Sequence, residues 1–268
     1  MNRGALLFAF NTPKYNYYEM AVATAKRINH FLGLPVTLVT DSESLPVDQS
    51  YQFDNVVIAP ADKTNTRDWR PWYNKGRYRA YQLSPYNETL LLDTDYMVNS
   101  NKLSKTFDLP TDFCCHDTTS FLMHPNAEQE MLGVNSFNTV WATVIMFKKT
   151  KRAEQIFNCL GMVQNNFDHY ASIHGFISAT FRNDYGLTLA TRIVNGHTTS
   201  NTDVIPWNLL HVGKNTNVYR NTDYEFNTEY TIMFNNWNKG KIRKEYITIK
   251  DMDFHVMNKV NFMELINE

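Results

Sequence analysis

The sequence has little of several features that would place a protein in a special class. Its 268 residues include only 10 Gly and 9 Pro, so long disordered linkers are not expected. The formal net charge of −1 excludes a globally basic nucleic-acid binder but leaves local basic patches open. Of the three cysteines, Cys114 and Cys115 are adjacent and no Cys-x-x-Cys pair occurs. We therefore expect neither a disulfide framework nor a zinc site.

Long apolar runs are also missing from the sequence. The run near the N-terminus covers only residues 5–10, which is too short for the core of a signal peptide and far too short for a membrane span. No later run approaches the length of a span. We therefore expect a soluble protein without a membrane span, located in the reducing cytoplasm, or in the host cytoplasm if a virus encodes it.

Apolar segments of strand length alternate with segments of helical periodicity in the first part of the chain. This pattern predicts an α/β protein whose mixed, mostly parallel central sheet is flanked by helices, because a β-α-β unit places its two strands parallel. The predicted strands lie at 5–10, 36–39, 56–58 and 89–92, and the predicted helices lie at 15–31 and 74–83.

The second part of the chain shows a mixed pattern without a clean boundary. We therefore expect a single domain over 1–268, in which residues 101–268 elaborate the first half, 1–100. Strands are predicted at 113–116, 139–147, 204–212, 230–234 and 246–249, helices at 151–167, 173–181 and 187–193, a loop with a short helix at 118–133, and a turn at 238–241.

The most informative motif is Thr89-Leu90-Leu91-Leu92-Asp93-Thr94-Asp95. A short apolar run ends in two carboxylates spaced i, i+2, which point the same way on an extended segment. Ligands of open α/β sheets bind where strands end. Paired carboxylates there form a hard oxygen site suited to Mg²⁺ or Mn²⁺. The alternative is an ordinary turn with Asp at a strand end. The motif favours a metal-dependent enzyme that binds a nucleotide diphosphate.

A second candidate is His255, because a neutral imidazole is a good ligand for Mn²⁺. Lys259 follows four residues later and could bind a phosphate oxygen. The alternative for a single histidine is a structural or solvated side chain.

Other candidates rest on position in the predicted fold. Lys75 and Arg79 lie four residues apart on the predicted basic helix, which also carries Arg77, and could hold a diphosphate or ribose. The alternative is a solvated helix face. Polar and backbone groups leaving the first two strands commonly contact a base or ribose. The further cofactor-binding candidates are therefore Phe10, Asn11, Thr12 and Asp41, with Thr94 between the two acids.

The segment Arg182-Asn183-Asp184-Tyr185 combines charged and polar groups before a predicted helix. Asp184 is a candidate for a carboxylate near the reacting sugar carbon or the acceptor hydroxyl. The alternative is a helix N-cap.

At these residues the chain resembles the GT-A type of nucleotide-sugar glycosyltransferase, whose Asp-x-Asp signature follows a hydrophobic strand, here Leu90-Leu91-Leu92-Asp93-Thr94-Asp95. His255 with Lys259 is similar to the C-terminal His-x-x-Gly-x-x-Lys element of family 8, the glycogenin-like retaining enzymes, but has a shorter spacing and no Gly. Trp141-Ala142-Thr143-Val144-Ile145-Met146-Phe147 is similar to the strand near the acceptor site.

The resemblance implies a GT-A fold with a nucleotide-sugar-binding half at 1–100 and an acceptor half at 101–268 that also supplies the C-terminal metal ligand. It implies a metal site of Asp93, Asp95 and His255 holding Mn²⁺ or Mg²⁺. The implied function is transfer of a hexose or pentose from a nucleotide-diphosphate sugar, UDP favoured, to an acceptor hydroxyl. Asp184 would orient the acceptor or stabilise positive charge, and Asp184 or Asp117 would be the base in an inverting enzyme.

The acceptor stays open at this point: it is a saccharide, a lipid-linked glycan, a protein hydroxyl or a hydroxymethylated DNA base. The basic clusters at 148–152 and 239–244 are candidates for binding the phosphate backbone of DNA. Two rival classes remain, a nucleotidyltransferase and a non-catalytic nucleotide-sugar-binding module. The absence of Gly from residues 8–14 disfavours the former, and the intact acidic pair disfavours the latter.

Overall fold

The computed structural model describes residues 2–48, 51–61, 63, 65–67, 69–128, 130–132, 137–175, 180–198, 203–238 and 241–267. Its strands are β1 (Arg3–Phe8), β2 (Val36–Thr40), β3 (Asn55–Ile58), β4 (Thr66–Arg67), β5 (Arg70–Pro71), β6 (Glu88–Leu92), β7 (Tyr96–Met97), β8 (Phe113–His116), β9 (Thr119–Phe121), β10 (His124–Glu128), β11 (Met131–Leu132), β12 (Phe137–Asn138), β13 (Trp141–Lys148), β14 (Leu209–Val212), β15 (Asn217–Arg220), β16 (Glu229–Asn238), β17 (Lys241–Lys250) and β18 (Phe254–Val256).

The α-helices are α1 (Tyr17–Leu32), α2 (Ala80–Leu83), α3 (Lys151–Asn165), α4 (Phe167–His174), α5 (Asn183–Val194) and α6 (Lys259–Asn267), and two 3₁₀ helices cover Asn74–Arg79 and Lys102–Asp108. Within the described residues, none of the helices combines the length and the apolar character needed to cross a bilayer.

A six-stranded sheet in the order β3-β2-β1-β6-β13-β8 forms the centre of the fold. Strands β3, β2, β1 and β6 are parallel, and β13 runs antiparallel to both β6 and β8. The α/β fold class and the mostly parallel central sheet are therefore confirmed. The three leucines of β6 are at most 1% exposed, because hydrophobic clusters cover both faces of the sheet.

The crossover helix α1 begins and ends at the signals that the sequence shows. The side chain of Asn16 accepts a hydrogen bond from the Glu19 N–H, which satisfies one of the free donors of the first turn. Gly33 ends the helix in the left-handed region, with φ 64°. These two residues fix the length of the crossover that returns the chain from β1 to the parallel strand β2.

A second sheet, in the order β10-β9-β14-β18-β7, lies next to the point where β6 ends. Strand β7 begins at Tyr96, directly after the acidic pair, and pairs antiparallel with β18 so that His255 is opposite Tyr96. This pairing brings the C-terminal part of the chain to the acidic pair. A third sheet, β15-β16-β17, packs its buried face against α6.

The structure departs from several sequence-based predictions of local structure. Residues 118–133 were expected to be a loop with a short helix, but they contain β9, β10 and β11. These strands are short, and β9 pairs with the distant strand β14 as well as with the adjacent β10. The helix expected at 173–181 overlaps α4 only at 173–174, because Gly175 adopts a left-handed conformation with φ 64° and ends α4; residues 176–179 lie outside the described residues.

The basic helix expected at 74–83 is mostly a 3₁₀ helix, which becomes α-helical only from Ala80 to Leu83. The expected strand at 204–212 is shorter, as β14, with an isolated bridge at Val204. The predicted turn at 238–241 includes Lys239 and Gly240, which lie outside the described residues.

Gly4 in β1 lies so close to Tyr86 that one added methyl group should destabilise the fold. A Cβ atom added at Gly4 would lie 2.4 Å from the ring of Tyr86, which is fully buried. We expect Gly4→Ala to lower the free energy of unfolding by roughly 1–3 kcal/mol, measured by urea denaturation. Gly76→Ala is the matched control, because its Cβ would meet nothing within 4 Å. Equal stability of the two variants would contradict this packing.

Candidate active site

The two acids of the motif are held by backbone hydrogen bonds where β6 ends. The N–H of Asp93 donates to the carbonyl of Thr143 on the neighbouring strand, at 3.0 Å. The carbonyl of the buried Thr94 accepts a hydrogen bond from the Thr24 hydroxyl of α1, at 2.7 Å. These two hydrogen bonds therefore hold the backbone of the motif and limit the directions in which the carboxylates point.

The structure brings Asp93, Asp95 and His255 together. One ligand atom from each of the three lies within 4.8 Å of the other two, and His255 Nε2 is 3.3 Å from Asp95 Oδ1. The Val256 N–H donates to the carbonyl of Asp95 at 2.9 Å, so strand pairing sets this geometry. Two carboxylates and an imidazole form a donor set that suits Mn²⁺.

Lys259, the first residue of α6, forms an ion pair with Asp95 Oδ2. Burial raises the pKa of Asp95, which is 2% exposed, but the charges of Lys259 and His255 outweigh it and hold this pKa well below its usual range. Burial also opposes the charged forms of Lys259 and His255, but Asp95 outweighs it and raises the pKa of both. The pKa values of the three side chains are therefore mutually dependent.

Arg77 is a site residue that the sequence analysis did not select. Its buried guanidinium forms an ion pair with Asp93 through Nη1, whereas Nε and Nη2 have no hydrogen-bond partner among the described residues. The sequence analysis favoured Lys75 and Arg79 because these positions share a face of an α-helix. In the 3₁₀ helix the residues at i and i+3 share a face, and this places Arg77 in line with the buried Ala80.

Lys75 lies elsewhere, at a cavity of about 410 Å³ that Phe167 and Phe181 also line. Arg79 is half-buried at the end of the 3₁₀ helix. A role for either in nucleotide binding stays a prediction.

Asp184 lies in the first turn of α5 and joins that helix to β13. Its Oδ1 accepts from the Ala142 N–H at 2.9 Å, and its Oδ2 accepts from Arg182 at 2.9 Å. Ala142, which Asp184 binds, is the residue before Thr143, whose carbonyl accepts from the Asp93 N–H. Asp184 therefore holds β13 in place next to the acidic pair.

Asp117 follows β8 and is half-buried, and its carboxylate accepts a hydrogen bond from the Thr118 hydroxyl at 2.9 Å. No contact between Asp117 and the acidic pair is seen among the described residues. Its role as a base stays a prediction.

The segments that follow β1 and β2 are tied to each other. The N–H of Asn11 donates to the Ser44 hydroxyl at 2.7 Å, and the carboxylate of Asp41 accepts from the Ser44 N–H at 2.9 Å. The Thr12 hydroxyl accepts from the Tyr15 N–H at 3.1 Å, and the Phe10 ring is 5% exposed in the core. The structure thus gathers the four base and ribose candidates around one loop junction, where their binding role stays a prediction.

Comparisons with known proteins find similarity in structure only. No protein-family model matches the chain, and no curated protein matches it in sequence. Mouse xyloside xylosyltransferase 1 is similar, with 10% identity and a TM-score of 0.45 over 74% of this chain and 83% of that protein. An active-site mutant of LgtC is similar, with 11% identity and a TM-score of 0.42 over 69% of this chain and 68% of that one.

The glycosyltransferase GlyE of Streptococcus pneumoniae TIGR4 shows 14% identity and a TM-score of 0.38 over 70% of this chain. The chain spans only 42% of the length of GlyE. These structural neighbours are glycosyltransferases, but the overlaps are partial. A function for this chain therefore has to be inferred from its own site.

The buried charge cluster predicts strong coupling between Asp95 and Lys259. Asp95→Asn or Lys259→Met leaves the other charge buried without this partner. We expect each change to cost about 3 kcal/mol of unfolding free energy, at the lower end for buried pairs because the Lys259 side chain keeps 28% exposure. The double variant should cost less than the sum of the two, measured by urea denaturation in a double-mutant cycle.

The exposed pair Lys26–Glu225 is the matched control for this cycle, with side chains 43% and 54% exposed. The cycle of Lys26→Met with Glu225→Gln should give a coupling of about 0–1 kcal/mol. A coupling for Asp95 and Lys259 no larger than that would contradict the buried ion pair.

Proposed function

We propose that the chain is a metal-dependent glycosyltransferase of the GT-A type, which transfers a sugar from a nucleotide-diphosphate sugar, UDP favoured, to an acceptor hydroxyl. The observation that carries this proposal is the convergence of Asp93, Asp95 and His255 where β6 ends, flanked by the cations Arg77 and Lys259. A metal-binding acidic centre between two fixed cations suits a diphosphate better than any single charge would.

The donor set supports Mn²⁺ or Mg²⁺ as the cofactor. Asp93, Asp95 and His255 each offer a ligand atom, and these atoms lie within 4.8 Å of one another. A set of carboxylate oxygens and an imidazole nitrogen binds Mn²⁺ in preference to softer metals, which favour sulfur ligands. A bound divalent ion supplies positive charge that stabilises the departing diphosphate. Asp93, Asp95 and His255 would hold it.

Two cations of the chain, Lys259 and Arg77, would bind phosphate oxygens in the proposed site. Lys259 offers a charged ammonium group, and Arg77 offers the two unpartnered donors of its guanidinium. In the proposed reaction the bond between the anomeric carbon and the phosphate oxygen breaks while the acceptor oxygen bonds to that carbon. The acceptor proton passes to a base, for which Asp184 and Asp117 are the candidates.

Residues 1–100 would form the nucleotide-sugar half of a single domain, and 101–268 would form the acceptor half. For the acceptor, a saccharide and a hydroxymethylated DNA base are the two leading classes. In the basic cluster at 148–152, Arg152 forms ion pairs with Asp112 and Asp203 of the protein itself, so its charge is already compensated. Lys241, Arg243 and Lys244 on β17 are exposed.

The donor site predicts stabilisation by a nucleotide that depends on metal. We expect one of UDP, GDP and dTDP, or a sugar conjugate of UDP or GDP, to raise the melting temperature by about 5–10 °C at a hundred times its Kd, and only with Mn²⁺. The shift should vanish in Asp95→Ala, which should also lose metal-dependent turnover. Asp93→Asn, at a less buried position, gives the same test if Asp95→Ala folds poorly.

Asp108→Asn is the control for this panel, because its side chain is 73% exposed on the surface and should leave the nucleotide response intact. No stabilisation by any nucleotide, or full turnover by Asp95→Ala, would show that the proposed function is wrong.

The position of Arg77 predicts a specific loss of donor binding. We expect Arg77→Met to weaken binding of the nucleotide sugar with Mn²⁺ roughly tenfold to hundredfold, because charged hydrogen bonds to phosphate or sugar oxygens are lost. Lys75→Met and Arg79→Met serve as comparison variants in the same calorimetric titration. A larger effect of either comparison variant would favour the basic face selected from the sequence.

A further inference from the structure

His211 lies beside the candidate metal site on the second sheet. Strand β14 pairs in parallel with both β9 and β18, with His211 in register with Phe121 on one side and His255 on the other. Residues in register on neighbouring strands lie on the same face of the sheet, and the strands are about 4.8 Å apart. The imidazole of His211 is therefore the immediate neighbour of the histidine that completes the acidic cluster.

The side chain of His211 is buried without satisfying its polar atoms. It is 2% exposed, and neither Nδ1 nor Nε2 has a hydrogen-bond partner among the described residues. The neutral form of an imidazole offers one donor and one acceptor. Buried polar atoms are nearly always paired, so this side chain needs an explanation.

Aromatic rings surround this unsatisfied imidazole. The ring of Phe121 lies 4.1 Å from His211 and that of Trp141 lies 5.7 Å away, centroid to centroid. The indole Nε1 of Trp141 is also buried and without a partner among the described residues. Arg182 is 5.9 Å above the Trp141 ring but is paired with Asp184. His211 and Trp141 together therefore present uncharged hydrogen-bond donors and one acceptor between aromatic rings.

We infer that His211 and Trp141 bind the hydroxyl groups of an uncharged sugar ring beside the metal site. This inference rests on the proposed function and names the substrate class that the site takes. Aromatic surfaces with a few placed polar groups are the usual lining of a small-molecule site. A sugar hydroxyl donates and accepts at once, which matches an indole donor next to a neutral imidazole.

The same chemistry has two sources, the sugar being transferred or a saccharide acceptor. His211 neighbours a proposed metal ligand, and the transferred sugar is attached to the diphosphate that this metal would hold. A saccharide acceptor must approach the same anomeric carbon. The experiment therefore includes one arm for each source.

His211→Phe is the test variant, because it keeps a ring of similar size and removes only the hydrogen-bonding atoms. Without ligand, the variant should melt about 2–4 °C higher, because an unsatisfied buried polar group is removed. The stabilisation by the nucleotide diphosphate with Mn²⁺ should not change. His211→Gln, which keeps a donor and an acceptor, should restore part of whatever binding His211→Phe loses.

In the donor arm, calorimetry compares the nucleotide diphosphate with its sugar conjugate, both with Mn²⁺. If the subsite holds the transferred sugar, His211→Phe should weaken the conjugate about threefold to tenfold and leave the diphosphate unchanged. In the acceptor arm, transfer to a panel of methyl hexosides is measured. If the subsite holds the acceptor, donor binding is unchanged and the KM for the best hexoside rises by a similar factor.

Tyr18→Phe is the matched control. Tyr18 is 1% exposed and its hydroxyl also has no partner among the described residues, but its ring lies against Phe53, 6.1 Å away. This change should leave both arms unaffected.

Unchanged values in both arms for His211→Phe, or equal losses in His211→Phe and Tyr18→Phe, would overturn the inference. Absence of any metal-dependent nucleotide binding by the unsubstituted protein would instead refute the proposed function, and the subsite with it. The two failures are therefore distinguishable.

Discussion

The buried carboxylate of Asp95 is the constraint on which the rest of the site depends. A carboxylate with 2% exposure is costly in its charged form unless charged or hydrogen-bonding partners compensate it. The basic partners of Asp95 are His255 from β18 and Lys259 from the start of α6. The pairing of β18 with β7 therefore does two things at once: it continues the second sheet, and it neutralises a charge that the end of β6 leaves in the interior.

The same balance holds at Asp93, where the buried guanidinium of Arg77 is the partner. Both carboxylates thus have basic partners, Arg77 for Asp93 and His255 with Lys259 for Asp95, and each of these partners comes from a different element. Under the proposed function, a metal ion adds positive charge at the acids and a diphosphate adds negative charge at the cations. Both can enter with little change in net charge, which lowers the electrostatic cost of binding.

The sequence predicted those parts of the fold that depend on local pattern. The apolar run of β6 followed by Asp93 and Asp95 was visible because burial and charge change within one segment. Arg77 was not selected because the pattern of basic residues cannot tell an α-helix from a 3₁₀ helix, and these two place different residues on one face.

Strand β9 was not foreseen because it is three residues long and pairs with β14, which is distant in sequence. His211 could not be identified for the same reason. A histidine in a short strand carries no signal until the register places it beside His255.

The ion pair between Asp95 and Lys259 joins residues 164 positions apart. Closing so long a loop is entropically unfavourable, and contacts of this kind tend to form after the local ones. During synthesis the acidic strand end is made long before its partners, residues 255 and 259, leave the ribosome. All six strands of the central sheet lie before residue 149, so that sheet can pair before Asp95 meets His255 and Lys259. Assembly of the site therefore follows assembly of the sheet that carries it.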